Sequence, residues 1–165
     1  MEQTFFDYVE QWCTRYIPMA HHRDTNPRFF LTESFYGLMD FMVQIDAQTQ
    51  GPCVVMETMT DGTIDKYQHA EYAIYFFVRA DEQGDGRSAH AALESAKLHA
   101  SRFINYLRSQ KDKLGQSFPY YRMSTESVQL HPVGPLYNHW YGIYITLDDV
   151  QQYNQCSDQS LYLTD

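Results

Sequence analysis

The stretch YAIYFFVRADEQGDGRSAHAALESAKLHASRFINYL, residues 72–107, decides how this chain folds. Its first nine residues, 72–80, are apolar on both alternating faces, the pattern of a central strand covered on each side. From Ser88 to about Gln110 the period changes to that of a helix. Ala89, Ala92, Leu93, Ala96, Ala100, Phe103 and Leu107 recur at three- and four-residue steps, while Arg87, His90, Glu94, Lys97, Ser101, Asn105 and Arg108 fall mainly outside that stripe. The small alanines let such a helix lie close against a sheet.

Between the two elements, Gly84, Gly86 and Ala89 follow the G-x-G-x-x-A spacing of a dinucleotide-binding turn, whose glycines bring backbone N–H groups to a pyrophosphate. Asp81, Glu82 and Gln83 separate the strand from the first glycine, and Asp81, Glu82 and Asp85 would set carboxylates beside any phosphate. The long helix also runs through the position, roughly 20 residues on, where a second strand should deliver an acidic ribose ligand. The loop therefore reads as a strand-to-helix turn ahead of a capped helix.

Working outward, Phe5, Phe6, Val9, Trp12, Cys13 and Tyr16 predict a helix over 3–16 that ends before Pro18. Residues 19–27 read as a polar loop, after which Thr32 is expected to cap a second helix over 33–45, with Phe35, Leu38, Met39, Met42 and Ile45 on one side. CVVMETMT, 53–60, reads as a strand closed by a hairpin turn at Asp61-Gly62, with 63–71, including Ile64 and Tyr67, extending it irregularly. Residues 121–133 and 139–147 predict a second hairpin about PVGPLYN, with Tyr141, Ile143, Ile145 and Leu147 on one face. The expected fold is α+β: a largely antiparallel sheet of four to five strands against one long helix, with one or two N-terminal helices, as a single domain over 1–150. A polar tail, 151–165, follows as a mobile or docking segment.

Composition narrows the function classes. The chain has 165 residues, is 44% hydrophobic and 16% aromatic, and carries 12 basic against 21 acidic side chains, for a net charge of −9. Such a surface repels phosphate backbones, so sequence-specific nucleic-acid binding is disfavoured. MEQTFFDYVEQW has neither a basic segment nor an unbroken apolar one, and no run approaches the roughly 18 apolar residues of a membrane span, so a cytoplasmic protein is expected. Cys13, Cys53 and Cys156 are far apart and odd in number, which fits reduced thiols.

Chemical motifs are sparse. His21 and His22 are adjacent and diverge in any regular element, and no Cys or third His stands near them, so a metal site is not assigned there. His90 and His99 fall half a turn out of phase on the long helix, with His99 at the edge of the alanine stripe as a boundary residue. His131 and His139 flank the last turn and can face one another across the hairpin, without a carboxylate or nucleophile beside them. No catalytic, cofactor or metal residue is assigned, and a buried, inert thiol is the reading for Cys53.

The order of helix, GPCVVMET strand, YAIYFFVRA strand, loop, long helix SAHAALESAKLHASRFINYL and the strands YYRMSTESVQLHPV and HWYGIYITL resembles phage tail-terminator and head-tail joining proteins over residues 50–150. The resemblance lies in element order. It implies a non-enzymatic assembly subunit that forms a homo-oligomeric ring and contacts other tail proteins, with no active site and no cofactor, located in the cytoplasm of a bacterial host or in a virion or phage-like particle. An acidic surface suits a pore through which DNA slides. A cytosolic adaptor, a small-ligand-binding module and an enzyme with a dispersed site stand as alternatives.

Overall fold

A computed structural model describes residues 4–33, 37–58, 61–64, 68–81 and 84–151. The fold is α+β, with the element order α1 (Phe5–Arg15), β1 (Phe29–Thr32), α2 (Leu38–Gln48), β2 (Cys53–Glu57), β3 (Asp61–Ile64), β4 (Gln68–Arg79), α3 (Gly86–Leu114), β5 (His131–Leu136) and β6 (Trp140–Gln151). The strands form one sheet in the order β1-β2-β4-β6-β5, with β3 paired to the start of β4. Among the described residues, only β1–β2 is parallel and every other strand pairing is antiparallel.

The strand read as doubly apolar is central: β4 lies between β2 and β6 over its second half. Ile74 and Phe76 point to one face, where α1 and α3 pack, and Tyr75 and Phe77 to the other, where α2 packs. Alternation on β6 sends Ile143, Ile145 and Leu147 to the first face and Trp140 and Tyr144 to the second. Helix α3 buries Ala92, Ala96, Ala100, Phe103 and Leu107, as the stripe predicts, together with His99 and Ile104. Its N-cap is Asp85, whose carboxylate accepts from the backbone N–H of Arg87 and Ser88, and Gly84 before it has φ +70°. The glycine loop is thus a strand-to-helix turn in its described residues; Glu82 and Gln83 lie outside them. At α1, Thr4 and Asp7 form a reciprocal capping box.

Four expectations need correction. Thr32 does not cap a helix. It ends β1, and its carbonyl accepts from both the N–H and the hydroxyl of Thr58, so α2 starts later, at Leu38 after Gly37. Asp61-Gly62 is not the hairpin turn but part of β3, where Gly62 faces Ala70 and a Cβ on it would stand 3.1 Å from the His69 carbonyl oxygen. Residues 121–130 are not a strand: Arg108 donates to the carbonyls of Thr125 and Glu126, and Lys111 to that of Met123, so side chains of α3 take carbonyls that a neighbouring strand would otherwise have bonded. PVGPLYN is not a turn throughout. Pro132 and Pro135 sit in β5, an edge strand where missing N–H donors are tolerated, and the reversal is made by Tyr137–His139. Phe35, Tyr67, Thr60, Cys156 and the tail from residue 152 fall outside the described residues.

Candidate functional site

Three polar centres are built where elements meet. In the first, α1 ends beside α3: the Tyr16 hydroxyl lies 2.8 Å from His99 Nδ1, Arg102 donates to the Tyr16 oxygen at 2.9 Å, and Ser95 Oγ stands 3.5 Å from His99 Nε2. A phenol oxygen that accepts from Arg102 keeps its O–H and a second lone pair, so the Tyr16–Nδ1 bond runs in the direction that the His99 tautomer sets. Burial, and then the nearby Arg102 cation, push the His99 pKa down to about 4, so the ring is neutral at physiological pH. Tyr16, His99 and Arg102 thus join the end of α1 to α3.

The second centre fixes the loop after α1. His21, 5% exposed, accepts the Arg28 N–H on Nδ1 at 2.9 Å, which leaves the proton on Nε2 to donate to Glu10 at 3.1 Å. Arg23 grips the same carboxylate with two bonds of 2.5 Å. The Glu10 pKa is lowered, first by Arg23 and then by His21. His22 points outward, so the adjacent histidines diverge, and no group of three His, Cys, Asp or Glu among the described residues is placed to hold a metal ion.

The third centre ties α2 to the β5–β6 turn. Asp46 accepts from Trp140 Nε1 and from Asn138 Nδ2, both at 2.8 Å, and pairs with Arg79 at 3.5 Å. Arg79 in turn donates to the Asn138 carbonyl. The turn needs such support, because Asn138 (φ 52°) and His139 (φ 67°) both occupy the left-handed region that favours glycine.

His131 and His139 are not brought together. His131 is opposite Tyr144 and stacks on its ring at 4.8 Å, whereas His139 belongs to the turn before Trp140. His90 is exposed near the start of α3 and His99 is buried further along it. Cys13 and Cys53 are buried, free thiols; burial pushes Cys53 up to about 12 and raises Cys13 as well, which keeps both protonated.

The remaining feature is an uneven cover on the sheet. Among the described residues, one face carries α1 and α3, and the other carries the eleven residues of α2, against Phe30, Cys53, Val55, Tyr75, Phe77 and Trp140. Val133, Leu136 and Tyr144 on β5 and β6 are only half-buried, and beside them Met39, Val43 and Tyr137 are 51, 44 and 44% exposed. Sequence reading placed Met39 in the core side of α2. It missed Val43, although the step of four from Met39 was a visible signal of a second apolar flank. No family model and no curated protein matches this chain.

Proposed function

We propose that this chain is a non-enzymatic assembly subunit that acts through contacts with other protein surfaces, of the kind its resemblance to phage tail-completion proteins implies. The observation that supports this reading is the uneven cover of the sheet, which leaves large apolar side chains at the surface where a lone domain gains nothing by exposing them. The buried histidines and carboxylates, by contrast, are already engaged in holding α1, α2 and the turns in place. On this reading the chain is made in the cytoplasm of a bacterial host, and an acidic surface of net charge −9 lets DNA pass without adhering.

The test is negative-stain microscopy and sedimentation of the purified chain over a wide concentration range. Annular or otherwise closed oligomers of fixed size support the reading. A chain that stays monomeric throughout, and whose melting temperature rises with one small molecule of a metabolite panel, is a ligand-binding module and the reading fails.

A further inference from the structure

We infer that the basic end of α3 on one copy of this chain docks on the row of carboxylates that the next copy carries across β3, β4 and β6, on the opposite face of its sheet. The inference rests on the assembly reading and goes beyond it by assigning the two surfaces and the way copies join. Residues 97–122 hold six of the twelve basic side chains and one of the 21 acidic ones, Asp112, so this segment carries a charge of +5 and the rest of the chain −14. Among the described residues Lys97 pairs with Glu94, whereas Arg102, Arg108, Lys111, Lys113 and Arg122 form no ion pair. Arg102 donates to the Tyr16 oxygen, and Arg108 and Lys111 donate to carbonyls of Met123, Thr125 and Glu126. Those acceptors are neutral, so they engage N–H groups and leave the charge in place. The negative end of the helix dipole accounts for Lys111 and Lys113 in the last turn of α3, but Arg102 stands well before that turn and Arg122 beyond the helix.

The complementary surface lies on the other face. Glu71 stands opposite Asp148 in the β4–β6 pair, and Asp61 on β3 stands opposite Glu71. Alternation along β4 and β6 puts Glu71 and Asp148 on the side of Tyr75 and Tyr144, where Glu57 accepts from the Tyr75 hydroxyl. Like charges directly opposite one another repel across a strand pair. His69 bonds Asp148 at 3.0 Å, while Glu71 is exposed and forms no ion pair among the described residues. Across α2 and all six strands the one Lys or Arg is Arg79, which already pairs with Asp46. A two-fold contact through either surface sets like charge against like. Seating the basic end of one copy on the carboxylates of the next neutralises both, and such a head-to-tail contact leaves one surface of each kind open until the series closes on itself. A phosphate polymer can meet the same five cations, but it does so against the −14 carried by the rest of the chain.

Sedimentation equilibrium on the full chain at about 0.05 and about 0.5 M salt tests this, with circular dichroism confirming the fold of each variant. The double variant Lys113→Glu, Arg122→Glu reverses the basic end, Glu71→Lys reverses the carboxylate row, and Asp24→Lys, at an exposed carboxylate on neither surface, is the control. The expected result is self-association that weakens at least about tenfold at the higher salt and in each reversed variant, and is unchanged in the control. Glu71→Lys brings the net charge nearer zero, so a loss there is not a general effect of repulsion. Mixing the two reversed variants should restore association, because each then offers the surface that the other lacks. Reversed variants that associate as the wild type does, or association that strengthens with salt, overturn the two surfaces and leave the assembly reading standing. Binding of duplex DNA of arbitrary sequence to the wild type that is lost in Lys113→Glu, Arg122→Glu assigns the basic end to a phosphate polymer and overturns them as well. A wild type that is monomeric at every concentration and at both salts overturns the surfaces and the assembly reading together.

Discussion

Phe77 on β4 occupies the space that Gly142 on β6 leaves by having no side chain. The two residues are directly opposite in the antiparallel pair, and a Cβ at position 142 would stand 2.5 Å from Phe77 Cδ1 and 2.9 Å from the Phe76 carbonyl oxygen. A ring laid over a strand glycine restores the packing that the glycine forgoes, and here it does so under α2.

Gly142→Ala is therefore expected to destabilise the fold by about 1–3 kcal/mol in urea melts, through overpacking against a ring and a backbone carbonyl. Adding Phe77→Leu to that variant should recover part of the loss, because the ring can be exchanged for a smaller group but the carbonyl cannot move. Additive losses in the double-mutant cycle would show that the two positions are not coupled.

Stability should fall on acidification between about pH 6.5 and 4, and His99 is the residue responsible. Its pKa drops from an ordinary 6.5 to about 4 in the folded chain, chiefly through burial. The unfolded chain therefore takes up the proton first, so the contribution is complete above pH 6.5, is lost as pH falls through that window, and stops changing below the folded value. Protonation also makes both ring nitrogens donors, so Nδ1 must donate to the Tyr16 oxygen beside the Arg102 cation. His99→Gln is expected to flatten the unfolding free energy across pH 6.5–4.5, above the range where the lowered Glu10 and Asp7 carboxyls titrate. An unchanged slope would assign the acid sensitivity elsewhere.

What the sequence made legible was whatever burial writes as a period. The doubly apolar 72–80, the alanine stripe of α3 and the alternation of Ile143, Ile145 and Leu147 each follow from which face meets the core. Strand β1 was illegible because four residues, FFLT, carry no period, and its parallel pairing with β2 is not local. The segment 121–130 reads as a strand until Arg108 and Lys111 reach its carbonyls from another element. The polar centres are hidden for the same reason: Tyr16 and His99 are 83 positions apart, and Asp46 and Trp140 are 94 apart. Thr32 and Asp61-Gly62 misled because cap and turn preferences are worth only about 1 kcal/mol, less than the sheet pairing that overrides them.

The face that α3 lays on the sheet is tested by a pair of substitutions. Ala96 is fully buried and Glu94, paired with Lys97 three residues on, is largely exposed. Ala96→Leu should cost about 1–3 kcal/mol by forcing the helix off β4 and β6, while Glu94→Leu should change stability by less than about 0.5 kcal/mol. Equal effects in urea would mean that the stripe has been placed on the wrong side.

Asp46 is expected to be the most sensitive polar position. Its carboxylate is the acceptor for the indole N–H of Trp140, which is completely buried, and for the Asn138 amide, and it faces Arg79. Removing it takes the acceptor from the Trp140 and Asn138 donors and the counter-charge from Arg79, which keeps its bond to the Asn138 carbonyl, and frees a turn in which two consecutive non-glycine residues hold positive φ at a cost of about 1 kcal/mol or more each. Asp46→Ala should lower stability by about 3 kcal/mol. Asp46→Asn should fall between it and the wild type, since an amide oxygen can serve one donor while the amide N–H₂ confronts the other. The indole resonance of Trp140 in a ¹H–¹⁵N spectrum reports the bond directly, and it should move strongly in the alanine variant and less in the asparagine variant. If alanine and asparagine cost the same small amount and the resonance stays in place, Trp140 is held by packing alone, and Asp46 does not set the β5–β6 turn.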